Sequence, residues 1–160
     1  MGCNIRVVQA VEAAFATEHA GDRDGRLRRD IASRETTPSV VLDAMARRKG
    51  EGRDVLYRIV ENPSTMTSTL VHLIRECSDN SWKLCIAQKA MLRLLGGEGI
   101  PEEVFDMVAG LPDRRSNYIL KNIALCDPRM PYSAMGIMRY DHNKRIAEGA
   151  RMRMLEFFRN

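Results

Sequence analysis

The sequence predicts an all-α protein built as a stack of short helix pairs. A unit made of a short amphipathic helix, a turn carrying proline and a second short helix recurs about every 30 residues, the period of stacked helical repeats. Apolar residues fall at helical spacing in every unit, and no stretch alternates with the period of two that a half-buried strand needs. Glycines and prolines fall where helices stop and start.

Four turns align. Ile31-Ala32-Ser33-Arg34-Glu35-Thr36-Thr37-Pro38 matches Ile59-Val60-Glu61-Asn62-Pro63-Ser64-Thr65-Met66, then residues 94–101, then Ala124-Leu125-Cys126-Asp127-Pro128-Arg129-Met130-Pro131. Positions 38, 66, 101 and 131 lie 28, 35 and 30 residues apart.

Residues 4–18 read as a first helix with Ile5, Val8, Val11 and Phe15 on one face, a terminal cap for the stack. Gly21-Asp22-Arg23-Asp24-Gly25 ends it. First helices of the units are expected at 26–34, 53–61, 81–95 and 115–126, and second helices at 38–48, 66–77, 101–109 and 131–140. The helix-pair repeats thus span 26–48, 53–77, 81–109 and 115–140, within a single domain over 1–160. Pro38, Pro101 and Pro131 suit the first position of the second helices, where a missing N–H is harmless. Thr37 suits the N-cap before Pro38, and Glu102 and Glu103 suit a helix N-terminus. Second helices share an apolar stripe: Val41, Leu42, Met45; Thr69, Leu70, Leu73; Val104, Phe105, Val108; Ala134, Met135, Met138. The 81–95 helix is apolar nearly all round, with Trp82, Leu84, Ile86, Met91, Leu92 and Leu94, so it is expected to be the buried central beam. Gly96, Gly97, Gly99 and Gly110 stop helices. A closing helix over 143–158 places Ile146, Ala150, Met154 and Phe158 on one face.

At 160 residues the chain suits one domain with a real core. Aromatics are sparse at 6% while methionine is plentiful at ten, so methionine reads as core filler. Cys3, Cys77, Cys85 and Cys126 form no C-x-x-C pair, which speaks against a disulfide framework or a zinc site and for buried reduced thiols in a cytoplasmic protein. No run of 18 apolar residues spans a membrane, and Gln9 and Glu12 interrupt any secretory apolar region. Met1-Gly2-Cys3 starts like an acylation signal, with Gly2 for myristate and Cys3 for palmitate, although Arg6 stands where that motif carries Ser or Thr. Acylation at both would anchor the chain as a secreted bacterial effector at a host membrane.

The two best turns resemble the unit of bacterial leucine-rich repeat variant proteins and, more loosely, HEAT-like repeats. That unit runs V-A-x-N-P-x-T-P-x-x-x-L, then an Asp and a new helix opening with an Arg. Residues 59–66 continue to Leu70 and Asp79; residues 124–131 continue to Met135, Asp141 and Arg145. The likeness spans about residues 26–158, and the third unit departs from it with a glycine-rich turn. The resemblance implies a right-handed superhelical stack of helix pairs, an alpha-alpha superhelix with an extended binding face. A founding variant of the family carries an iron–sulfur cluster in a cysteine-rich N-terminal segment. Here only Cys3 stands there, so no cluster carries over.

No nucleophile elbow, P-loop, H-E-x-x-H or dinucleotide loop is present. Gly96-Gly97-Glu98-Gly99 follows a helix and carries an acid, so it reads as a helix-ending loop. His19, His72 and His142 fall in different units without ligand spacing. His142, in Tyr140-Asp141-His142-Asn143-Lys144, would need a pocket and a partner to act as an acid or base. The expectation is a non-enzymatic scaffold, without cofactor or metal, that binds a protein or peptide through exposed residues of the second helices and turns: Arg47, Arg48, His72, Arg75 and Arg139. The alternative is nucleic-acid backbone binding, which requires Arg28, Arg29, Arg47, Arg48, Arg114 and Arg115 to converge. Scarce aromatics speak against single-strand recognition, and at a net charge of +4, with acids near each basic cluster, the arginines read as solvated helix surface.

Overall fold

The computed structural model describes residues 25–159. Among the described residues the chain forms nine helices and no strand: α1 (Arg26–Ser33), α2 (Ser39–Ala46), α3 (Arg53–Glu61), α4 (Thr67–Cys77), α5 (Leu84–Gly96), α6 (Glu102–Ala109), α7 (Asn117–Cys126), α8 (Tyr132–Met138) and α9 (Lys144–Phe157). The all-α prediction holds there, and each expected helix from residue 26 onward is present, within three residues at either end. The expected cap over 4–18, His19, Gly2 and Cys3 lie outside the described residues.

The chain divides between His72 and Leu73, inside α4, into two compact units. In the first, α3 packs on both α1 and α2, closing over Ala32, Leu42, Met45, Ile59 and Val60. In the second, α5 packs on α7, α6 packs on α7 and α8, and α9 packs on α7 and α8. Ile86, Met91, Phe105, Leu120, Met135, Met138 and Ile146 are fully buried there. Every apolar residue of the predicted second-helix stripes is buried, together with Thr69. Methionine fills the core at positions 45, 91, 130, 135, 138 and 154.

The aligned turns share their backbone bonding. The N–H of Arg34, Asn62, Gly97 and Asp127 each donates to the carbonyl three residues earlier, at 3.1–3.2 Å. The N–H of Thr37, Thr65 and Met130 then donates to the carbonyls of Arg34, Asn62 and Asp127. Asn62 and Asp127 also form the same Asx turn, accepting from the N–H two residues on at 2.9 Å.

Several expectations need correction. Pro38, Pro101 and Pro131 sit at the N-cap, one position before the helix, with ψ of 142°, 150° and 148°. Their extended backbone directs the proline carbonyl to accept the first helical bonds, as from Val41 and Leu42 to Pro38. Met66 accepts in the same way from Thr69 and Leu70. Thr37 does not cap α2. Its hydroxyl donates back to the Ile31 carbonyl at the end of α1, as that of Thr65 does to Ile59. Threonine here closes the turn on the preceding helix.

The beam α5 begins at Leu84 rather than 81, because the Asn80 side chain accepts from the N–H groups of Trp82 and Lys83 and holds a turn there. Trp82 is therefore 71% exposed, and Leu92 also faces outward. In α9, Ile146, Ala150 and Met154 are buried as expected and Ala147 beside them is buried too, but Leu155 is exposed and Phe158 is 74% exposed. It is the C-cap residue and turns onto Tyr132 and Phe157, with ring centroids 5.5 and 6.2 Å away. Among the described cysteines only Cys77 is buried outright, where burial pushes its thiol up to about 11. Cys85 is half-buried and Cys126 exposed, and all three are free thiols.

Candidate functional site

The expected partner-binding residues fall into three places. In the first unit, Arg47 Nε donates to Asp43 at 2.8 Å, one helical turn apart, and Thr69 donates to the other Asp43 oxygen at 2.7 Å. Burial would raise the Asp43 carboxyl, but hydrogen bonds from Arg47 and Thr69, with the nearby charge of Arg47 and of His72, hold it below the usual range. Arg47 is exposed, whereas Arg48 and His72 are half-buried. In the second unit, Arg75 is exposed and approaches Glu103 at 3.8 Å. Arg139, also in the second unit, is half-buried at the end of α8.

The arginines of the nucleic-acid alternative are placed unequally. Arg28 is buried and pairs with Glu51, Nε to Oε2 at 2.9 Å, so its guanidinium belongs to the interior of the first unit. Arg29 is exposed on α1, and Arg114 and Arg115 are exposed in the loop before α7.

His142 does have a partner within reach. Its Nδ1 lies 2.6 Å from Asp113, which also meets Lys121 at 3.0 Å. Lys121 is buried and reaches Asp141 at 2.6 Å. The Lys121 ammonium holds Asp113 below the usual carboxylate range. The imidazole itself is 84% exposed, so the cluster ties the α6–α7 loop to the α8–α9 turn without enclosing a reaction space. Among the described residues no group of three or more His, Cys, Asp or Glu side chains could hold a metal ion, and no helix is long and apolar enough to cross a membrane.

The feature that sequence reasoning missed is a cleft between α8 and α9, about 420 Å³ in volume. It is lined by Tyr132, Arg139, Tyr140, Arg151, Met154, Leu155 and Phe158. Tyr132, Phe157 and Phe158 form an aromatic cluster beside it, with edge-on and tilted rings. Met152 and Leu155 are exposed on the same helix. The guanidinium of Arg139 lies over the Tyr140 ring at 4.5 Å, and Arg151 donates to the Arg139 carbonyl at 3.1 Å. A surplus of apolar residues near the C-terminus was the available signal, but the helical projection set Phe158 on one face with Ile146, Ala150 and Met154.

No family model matches the chain, and neither a curated protein nor a solved structure matches it.

Proposed function

We propose that this chain is a non-catalytic helical-repeat scaffold that holds a protein or peptide partner, with the α8–α9 cleft as the contact surface. The observation that carries the reading is the aromatic, solvent-facing cleft on the last helices. Helix α9 and its end expose Met152, Leu155, Phe157 and Phe158 beside Tyr132 and Tyr140. Contiguous exposed apolar surface of this kind marks interaction sites on soluble proteins, and aromatic and Arg side chains are the residues that dominate interface energetics.

A superhelical stack is the architecture proposed for the scaffold. It is supported by first helices packing on first helices, α1 on α3 and α5 on α7, and by α6 packing on α8. The shared turn bonding supports it too, and the resemblance to leucine-rich repeat variant and HEAT-like units implies it.

The test is affinity capture from the source cells with the wild-type chain and with Leu155→Lys and Phe158→Asp variants. Loss of a specific partner from both variants, with unchanged melting temperature, is the expected result. Retention of every partner by both variants would remove the cleft from the proposal.

A further inference from the structure

The cleft joins two chemistries that together specify what enters it. Tyr132, Met154, Leu155 and Phe158 provide apolar walls, and Arg139 and Arg151 provide positive charge. Among the described residues neither guanidinium meets a carboxylate. Arg139 Nε is moreover buried with no hydrogen-bond partner among them. Lys121, Arg129, Arg75 and Arg153 of the same unit do meet carboxylates, whereas Arg114, Arg115, Lys144 and Arg145 are exposed cations that do not line the cleft. Unmatched guanidinium groups beside an apolar recess form a surface whose complement is an anion carried next to an apolar group.

We propose, resting on the partner-binding reading above, that the occupant is an acidic amphipathic peptide segment: an Asp or Glu side chain next to a large apolar one. The carboxylate pairs with Arg139 or Arg151, and the apolar side chain enters between Tyr132, Leu155 and Phe158. The volume of about 420 Å³ lies toward the small end of ligand pockets and suits a few side chains of a segment. A second copy of the chain is a poor occupant: a two-fold dimer pairs the same patch on both copies, and the residues lining the cleft carry no carboxylate to meet Arg139 or Arg151. An anionic membrane is the competing occupant, and the vesicle measurement below separates it from a peptide.

The experiment selects a phage-displayed random peptide library on the immobilised full chain, with Leu155→Lys, Arg151→Gln and the Arg139→Glu/Arg151→Glu double variant as parallel baits. The expected result is enrichment of Asp or Glu within a few positions of Leu, Phe or Trp. A synthetic peptide of the enriched sequence should bind the double variant at least about tenfold more weakly than the wild type, with Arg151→Gln between them. Arg151 is exposed, so that single variant keeps the test open should the double variant fail to fold. Peptides that need Leu155 but show no acidic preference would overturn this inference and leave partner binding standing. Absence of any Leu155-dependent peptide would overturn both. So would co-sedimentation with phosphatidylserine vesicles that Leu155→Lys abolishes while no peptide is retained.

Discussion

The carboxamide of Asn62 donates at 2.8 Å to the carbonyl of Arg34, the residue that occupies its own place in the preceding turn, 28 positions earlier. It donates equally to the Ala32 carbonyl. Asp127 reaches back in the same direction by accepting from the Ile100 N–H at 3.1 Å. In both places one polar side chain satisfies its own turn and the turn before it.

Replacing Asn62 by Ala leaves two carbonyls and the Ser64 N–H without these partners. A buried polar group deprived of its partner costs about 1–3 kcal/mol, and Asn62→Ala is expected to lose about 2 kcal/mol in urea unfolding. Asn62→Asp should be no better, because a carboxylate would face two carbonyl oxygens.

Lys121 and Asp141 are both almost fully buried, and removing one member of such a pair leaves the other charged and alone. Lys121→Met should therefore destabilise by about 3 kcal/mol. Its pH dependence follows from Asp113, whose folded pKa lies below its ordinary 3.8. An acid of that kind favours the folded state once deprotonated, so its contribution is complete above that value and disappears as pH falls through the folded pKa. The wild type should lose this contribution on acidification below about pH 4, and Lys121→Met should show a flatter acid limb.

Two glycine replacements are expected to act in opposite directions. Gly99 has φ +97°, and an added Cβ would fall on the Arg129 guanidinium, which Asp127 and the Glu98 carbonyl hold in place. Gly99→Ala should cost at least about 1–2 kcal/mol from the backbone alone. Gly136 lies inside α8 with open space where a Cβ would stand, so Gly136→Ala should stabilise by about 0.5–1 kcal/mol. Thermal melts of the two variants read the contrast.

Leu155→Ser and Phe158→Ser should change stability by no more than about 0.5 kcal/mol, because both side chains face solvent. Met135→Ala, in the core of the same unit, should cost about 2–5 kcal/mol. Denaturant midpoints for the three separate a surface kept for contact from a surface needed for folding.

The helices and the apolar stripes were legible in the sequence because a 3.6-residue period and glycine or proline punctuation report local structure directly. What escaped was the partner of each polar group. Thr37 and Asn62 occupy positions that suit caps and turns, and a sequence does not reveal which carbonyl across the turn a hydroxyl or amide will meet. Arg28 looked like part of a basic surface, and only the approach of Glu51 from 23 residues away takes it inside. Phe158 continued the spacing of Ile146, Ala150 and Met154, but α9 ends at Phe157 and periodicity does not carry past a helix end. The cleft went unseen for that reason.

Methionine methyl resonances give the most direct test of partner binding in the cleft. Met154 lines it, while Met45 and Met91 are buried in the cores of the two units. With methyl-labelled methionine, peptides retained by the immobilised chain should shift the Met154 signal progressively on titration and leave Met45 and Met91 in place. A Met154 signal that stays fixed while the peptides bind would contradict the assignment of the cleft as the contact surface.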